Sequence, residues 1–123
     1  MRALVPAMER AGVSRLVAIS AGGVGDSAAQ LTATVRWLVT RGNIAVAYRD
    51  LERMESVLRE STLDWLVVRP VTLADGPPAG RARPVARYGA TSRVRRSDVA
   101  AWMLDALERR DRFAERTVLL GSG

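Results

Sequence analysis

Two short, uninterrupted apolar runs constrain the fold of this chain most strongly. They are RLVAIS (residues 15–20) and DWLVVRP (residues 64–70), and each leads directly into a loop rich in glycine or proline. A strand that is apolar on both sides is typical of a parallel sheet covered by helices on both faces. A third apolar run, RTVLL, lies at residues 116–120. The sequence therefore predicts an α/β fold with about three mainly parallel strands.

Four amphipathic stretches predict the helices that flank this sheet. They span residues 3–11, 26–40, 50–61 and 97–110. In the third stretch, Glu52 and Glu55 are expected on a solvated face. In the fourth, Ser97 is the expected N-cap residue, and Asp98 follows in the first turn, where a carboxylate suits the helix dipole. Helices alternating with strands predict right-handed crossovers on one sheet.

Apolar side chains at helical spacing predict which helix faces are buried. For the third stretch, the predicted buried residues are Leu51, Met54, Val57 and Leu58. For the fourth, they are Val99, Trp102, Met103, Ala106 and Leu107. Residues 43–48 are ambiguous, because their apolar alternation fits a short strand and a connecting segment equally well. The long loop after residue 70 is predicted to hold one edge strand near residues 83–87.

Cysteine, histidine and lysine are all absent, and their absence excludes several kinds of chemistry. All 19 basic residues are arginine, whose guanidinium stays protonated and cannot act as a base. Serine–histidine and cysteine–histidine catalysis, covalent catalysis by lysine, disulfides and zinc sites of histidine or cysteine are impossible within this chain. No metal site is expected. Any reaction must use carboxylates, hydroxyls, backbone dipoles or a bound cofactor.

The net charge of +6 raises the question of a polyanionic partner. Six arginines lie between residues 81 and 96, with Tyr88 among them as a candidate for base stacking. A basic stretch without a recognised nucleic-acid-binding fold is weak evidence, so a solvated loop is favoured over nucleic-acid binding. A phosphate-bearing ligand would also suit this charge. No apolar run approaches the ~18 residues of a membrane span, so a cytoplasmic location without a membrane partner is expected.

Polar residues end two of the predicted strands. Ser20 ends the first, and the segment from Arg69 to Thr72 ends the second. Ligands of open parallel sheets bind beyond the carboxyl ends of the strands, so we expect Ser20 and Thr72 to be neighbours in one crevice that Tyr48 faces. Two alternatives stay open: Ser20 caps its strand, and Arg69 forms a salt bridge to a helix carboxylate. The loop AGGVGDS lacks the G-x-G-x-x-G spacing and is interpreted as a turn with an N-cap residue.

Three segments resemble the C-terminal half of atypical short-chain dehydrogenases/reductases. They are MERAGVSRLVAISAGGVGDS, ERMESVLRESTLDWLVVRPVTLADGPPAG and SRVRRSDVAAWMLDAL. The most similar branch is the NAD(P)H-binding flavin reductase and biliverdin-IXβ reductase type. The resemblance implies a partial Rossmann-like three-layer sandwich. Residues 1–123 would form a single unit, the C-terminal half of such an NAD(P)-binding domain.

The same resemblance implies hydride transfer from NADP or NAD to a small-molecule electron acceptor, such as a flavin, quinone or tetrapyrrole. Ser20 would be catalytic and face the nicotinamide, and Tyr48 and Leu73 would contact the substrate. Further cofactor contacts would come from Ala21, Gly22, Arg69, Pro70, Val71 and Thr72. The family's first half holds a Gly-rich phosphate-binding loop that this sequence lacks, so weak or no activity is expected from this chain alone. The alternatives are a non-enzymatic module that forms a homodimer through an exposed sheet edge, and an arginine-mediated polyanion binder.

Overall fold

The computed structural model describes residues 1–24, 30–35 and 42–122. Within these residues the helices are α1 (Leu4–Ala11), α2 (Gly42–Arg59) and α3 (Arg96–Leu107), and a short 3₁₀ turn spans Arg110–Phe113. The strands are β1 (Arg15–Ile19), β2 (Asp64–Pro70), β3 (Thr72–Ala74), β4 (Arg83–Pro84), β5 (Arg93–Arg95) and β6 (Thr117–Gly121). The expected helix at residues 26–40, with Asp26 or Ser27 as its N-cap residue, lies largely outside the described residues. None of the described helices has the length and hydropathy needed to cross a bilayer.

The main sheet has the strand order β1-β2-β6-β4. β1, β2 and β6 are parallel, as the three apolar runs predict, and β4 adds an antiparallel edge at the place expected for an edge strand. β3 and β5 form a separate parallel pair, which the sequence did not predict. Within the described residues β1 pairs on one side only, and Ile19 at its end is 46% exposed.

The core lies on both faces of β2, whose residues 65–70 are all buried. Trp65 and Val67 pack on one side with Val5 of α1 and Leu58 of α2. On the other side, Leu66 and Val68 belong to two clusters that include Ala106 and Val99 of α3. Adjacent strand residues point to opposite faces, so helices cover the central strand on both sides. This arrangement confirms the predicted layered α/β fold.

Two helix boundaries differ from the sequence-based expectation. α2 begins at Gly42 rather than Asp50, so residues 43–48 are helical; their alanines favour a helix as much as the alternation favours a strand. α3 begins at Arg96 with Arg95 as its N-cap residue, so Ser97 is not the cap. The Ser97 hydroxyl instead donates to the carbonyl of Gly76 at 3.2 Å. Leu107, the last residue of α3, is exposed, so the expectation that it is buried is wrong.

Asp98 in the first turn of α3 anchors the preceding loop as well as facing the helix dipole. Its buried carboxylate accepts hydrogen bonds from the backbone N–H groups of Ala79 at 2.8 Å and Gly80 at 2.9 Å. Burial alone would raise the pKa of Asp98, but these donors, together with Arg81 N–H and the Arg95 guanidinium, lower it below the ordinary value. The carboxylate therefore fixes the glycine- and proline-rich loop onto α3.

Candidate active site

The ends of β1 and β2 run side by side beyond the last paired residue of β1. Ser20 N–H donates to the carbonyl of Val68 at 2.7 Å, and Gly22 N–H donates to that of Pro70 at 2.8 Å. These bonds continue the parallel ladder into the loop after β1. The rim is the segment Ser20–Gly22 together with Pro70–Thr72, at the carboxyl edge of the sheet where open α/β sheets bind their ligands.

Ser20, Glu55 and Arg69 form a buried polar network behind this rim. The Ser20 hydroxyl donates to Glu55 Oε2 at 2.7 Å. Arg69 donates to Glu55 through Nη2 at 2.5 Å and through Nε at 3.3 Å. The three residues are only 8%, 1% and 3% exposed. A buried charge needs a partner, and here Glu55 and Arg69 neutralise each other.

This network corrects the expectation for Glu55 and shows which role Arg69 has. Glu55 is not on a solvated face, because its position in α2 points it at the sheet. Arg69 forms the salt bridge to a helix carboxylate that was left open above. A sequence signal for Glu55 existed: it lies four residues after Leu51 and three before Leu58, so the three share one helix face.

The Ser20 hydroxyl is restricted in what it can still do. Its hydrogen is used in the bond to Glu55, and an ionised carboxylate only accepts hydrogen bonds. The Ser20 oxygen therefore keeps acceptor lone pairs but has no second hydrogen to donate. A ligand group with an N–H can donate a hydrogen bond to this oxygen. A ligand carbonyl cannot bind there, because it needs a hydrogen-bond donor.

Two tyrosine rings pack closely on Gly22 of the rim and on Gly23, which follows it. A Cβ atom on Gly22 would lie 2.5 Å from Cδ2 of Tyr88, and one on Gly23 would lie 2.9 Å from Cε2 of Tyr48. The Tyr48 hydroxyl donates to the carbonyl of Gly22 at 2.6 Å. The hydroxyls of Tyr88 and Thr72 are hydrogen bonded at 2.8 Å. Tyr88 thus connects the end of β1 to the start of β3, which places both expected strand ends on one rim.

Tyr48 lies at this rim, where the sequence placed it, and remains a neutral phenol. Partial burial, with a smaller contribution from nearby Tyr88, raises the pKa of Tyr48 to about 12. Its hydroxyl hydrogen is donated to the Gly22 carbonyl. At neutral pH, Tyr48 therefore stays protonated, and its hydroxyl holds the loop.

We expect Tyr48→Phe to lower the free energy of unfolding by about 1 kcal/mol at pH 7, because the bond to Gly22 is lost. The pKa in the folded state exceeds the ordinary 10.0, so the ionisation-linked stability of Tyr48 is fully present below pH 10 and decreases as the pH rises towards 12. Since Tyr48 is partly exposed, this decrease should amount to only about 1 kcal/mol. Urea unfolding of both proteins at pH 7, 9 and 11 measures it. A difference between the proteins that stays constant from pH 9 to 11 would contradict the raised pKa.

Of the remaining expected site residues, Ala21 and Val71 lie within the rim, and Leu73 lies just beyond it. Ala21 is half-buried in the loop after β1, and its carbonyl accepts from Val24 N–H at 3.2 Å. Val71 is buried and its N–H donates to Leu120 of β6. Leu73 is half-buried opposite Val94 in the β3–β5 pair. Within the described residues, no group of acidic side chains could hold a metal ion.

Tyr88 was missed as a site residue, because the segment between residues 71 and 96 shows no periodicity that would place it. Its only sequence signal was its position among arginines, which pointed to base stacking. The structure instead buries one edge of its ring against Gly22.

A family model described as NAD(P)H-binding matches residues 1–110. The chain belongs to this NAD(P)H-binding family. The match spans most of the chain and includes both strand ends that form the rim. No curated protein matches the chain.

Solved structures with the same fold support this membership. The anaerobilin reductase ChuY from Escherichia coli is 29% identical, with a TM-score of 0.77 over 98% of this chain and 56% of that chain. A second structure of ChuY, from Escherichia coli strain CFT073, is 26% identical, with a TM-score of 0.78 over 98% and 63%. A short-chain dehydrogenase/reductase from Veillonella parvula in complex with NADP shares the fold at 23% identity, with a TM-score of 0.75 over 96% and 55%. The chain therefore spans little more than half the length of these proteins.

Proposed function

We propose that this chain forms the nicotinamide and acceptor side of an NAD(P)H-dependent reductase site, with Ser20 as the residue that contacts the nicotinamide. The observation that carries the proposal is the hydroxyl of Ser20 at the rim, whose hydrogen is fixed by Glu55. Membership of the NAD(P)H-binding family and 29% identity to an anaerobilin reductase support it. When bound, the dihydronicotinamide supplies a hydride to the acceptor, which takes up a proton from solvent.

The donors and acceptors of the rim fit one end of the cofactor. A nicotinamide carboxamide presents N–H groups, and the Ser20 oxygen is restricted to accepting them. Arg69 acts as a positioning residue in this scheme, since it contacts Glu55, and Glu55 contacts Ser20. Gly22 and Pro70 bring two backbone segments together beneath the expected place of the ring. The acceptor would be a flavin, a quinone or a tetrapyrrole.

The pyrophosphate end of the cofactor lacks its usual partner in this sequence. No G-x-G-x-x-G motif is present, and such a motif normally holds the pyrophosphate at a helix N-terminus. The proposal therefore includes weak binding of the dinucleotide and weak or no turnover by this chain alone.

Reduced nicotinamide mononucleotide is expected to bind as well as NADPH, within about threefold, with both dissociation constants of about 1 mM. The reason is that the rim would contact only the nicotinamide end of the cofactor. Saturation-transfer NMR on the purified chain measures both affinities and shows which protons touch the protein. We expect stronger transfer to the nicotinamide protons than to the adenine protons of NADPH.

Two serine variants show whether Ser20 contacts the nicotinamide. Ser20→Ala removes the acceptor oxygen and should weaken transfer to the nicotinamide protons, whereas Ser14→Ala, an exposed serine before β1, should not. If NADPH binds more than about tenfold more tightly than the mononucleotide, the chain recognises the pyrophosphate half and the one-ended site is wrong. If neither ligand shows transfer while the chain is folded, the nicotinamide proposal is wrong.

A further inference from the structure

We propose that a cavity beside the rim binds the anionic group of an amphipathic small molecule. The cavity has a volume of about 500 Å³ and lies between the loop after β4, the loop before β5 and the end of β6. Its apolar lining includes Val71 and Val85, and its cationic lining consists of Arg83, Arg87 and Arg93. This set is called the arginine pocket below.

The floor of the arginine pocket is apolar and firmly held. Val71 N–H donates to Leu120 and Val85 N–H donates to Leu119, both at 2.9 Å, so both valines are fixed onto β6. A Cβ on Gly121 would lie 3.1 Å from Val85 and 3.6 Å from Val71. The missing side chain at Gly121 therefore lets both valines pack over the end of the strand. An apolar body of a ligand can rest on this surface.

The three guanidinium groups are available for a ligand anion. Arg83, Arg87 and Arg93 are exposed, and within the described part of the chain none of them forms an ion pair with a carboxylate. Among the described residues, the Arg93 guanidinium donates only to loop carbonyls, those of Ala90 at 3.3 Å and Ser92 at 3.2 Å. Arginine forms strong, often bidentate, hydrogen bonds to carboxylate and phosphate.

The structure divides five of the six clustered arginines into two groups with different roles. Arg95 donates to the carbonyl of Pro77, and Arg96 pairs with Asp75, so these two hold the loop before β4. Arg83, Arg87 and Arg93 surround the pocket instead. A compact set of three cations around an apolar floor suits a small amphipathic anion better than a long polyanion.

Tyr88 gives a second reason to favour a small molecule over a nucleic acid. Binding of single strands relies on aromatic rings on which bases stack. The Tyr88 hydroxyl is hydrogen bonded to Thr72, and its ring packs against Gly22. The ring of Tyr88 is therefore held at the rim by contacts within the protein.

The arginine pocket is continuous with the candidate active site through the backbone. Val71 lines the pocket, and the next residue, Thr72, bonds to Tyr88 at the rim. An acceptor with an apolar body and a carboxylate or phosphate group could thus be anchored here. Naming the bound anion as the hydride acceptor rests on the proposed function, whereas binding of the anion does not.

The test compares two dyes with the same aromatic body in the absence of any nicotinamide. The probes are 8-anilinonaphthalene-1-sulfonate, which is anionic, and N-phenyl-1-naphthylamine, which is uncharged. We expect the double variant Arg87→Gln/Arg93→Gln to bind the sulfonate about tenfold more weakly, with unchanged binding of the neutral dye. Arg110→Gln, which removes an exposed charge elsewhere, is the matched control and should leave both affinities unchanged.

Three outcomes would overturn the proposal. The first is equal affinity for the sulfonate in the double variant and in Arg110→Gln. The second is an equal loss of affinity for both dyes, which would show that the guanidinium groups do not bind the sulfonate charge. The third is loss of binding to a short single-stranded DNA with no change for the sulfonate, which would assign the arginines to a polyanion. None of these readouts depends on NADPH, so the proposed reductase function can fail or hold independently.

Discussion

Glu55→Ala is expected to lower the free energy of unfolding by about 3–5 kcal/mol, because the buried charge of Arg69 loses the carboxylate that forms its salt bridge. Arg69 is only 3% exposed, and Glu55 accepts from both its Nη2 and Nε atoms. The Ser20 hydroxyl loses its acceptor in the same change. Urea unfolding followed by tryptophan fluorescence measures the difference.

Two further variants show whether the loss of stability comes from the broken ion pair or from a general effect on α2. Glu60→Ala removes an exposed carboxylate near the end of the same helix and should change stability by no more than about 0.5 kcal/mol. The double variant Glu55→Leu/Arg69→Met removes both charges and should be more stable than Glu55→Ala. If Glu55→Ala is no less stable than Glu60→Ala, the pair does not form in solution and the support for Ser20 disappears.

Gly22→Ala is expected to destabilise the protein by about 1–3 kcal/mol through overpacking at the rim. The new Cβ would lie 2.5 Å from Cδ2 of Tyr88 and 3.0 Å from Cδ1 of Leu119. The ring of Tyr88 cannot move away freely, because its hydroxyl is bonded to Thr72 at 2.8 Å. Thermal unfolding of the two proteins measures the loss.

Gly89 offers a matched control for this change. A Cβ there would meet its nearest neighbour at 3.5 Å, an ordinary contact, so Gly89→Ala should be close to neutral. Adding Tyr88→Leu to Gly22→Ala should recover part of the loss, since contacting residues are coupled. Equal melting temperatures for Gly22→Ala and Gly89→Ala would show that the ring does not pack on this glycine.

The central sheet could be predicted from the sequence because burial on both faces leaves a compositional mark. In β2, residues 65–70 are all buried, and the matching run DWLVVRP has no polar alternation. The parallel direction followed from the helical stretches between the runs. The convergence of the strand ends at Ser20 and Thr72 followed in turn, because parallel strands finish at the same edge.

The rest of the site could not be derived in this way because it depends on tertiary contacts. Glu55 shares a face with apolar residues, but only its contact with Arg69 distinguishes a buried carboxylate from a solvated one. Tyr88 comes from a segment without periodicity, and its backbone is held by long-range hydrogen bonds to Gln30 and Thr32, which the sequence does not reveal. The same segment hides the β3–β5 pair, whose strands are too short to show alternation.

Among the residues that the structure describes, one side of β1 has no strand partner. The core around β2 includes residues of α1, α2 and α3. A strand added along β1 would extend the sheet without breaking any existing pair. Such an edge presents its backbone N–H and C=O groups to any strand that pairs with it.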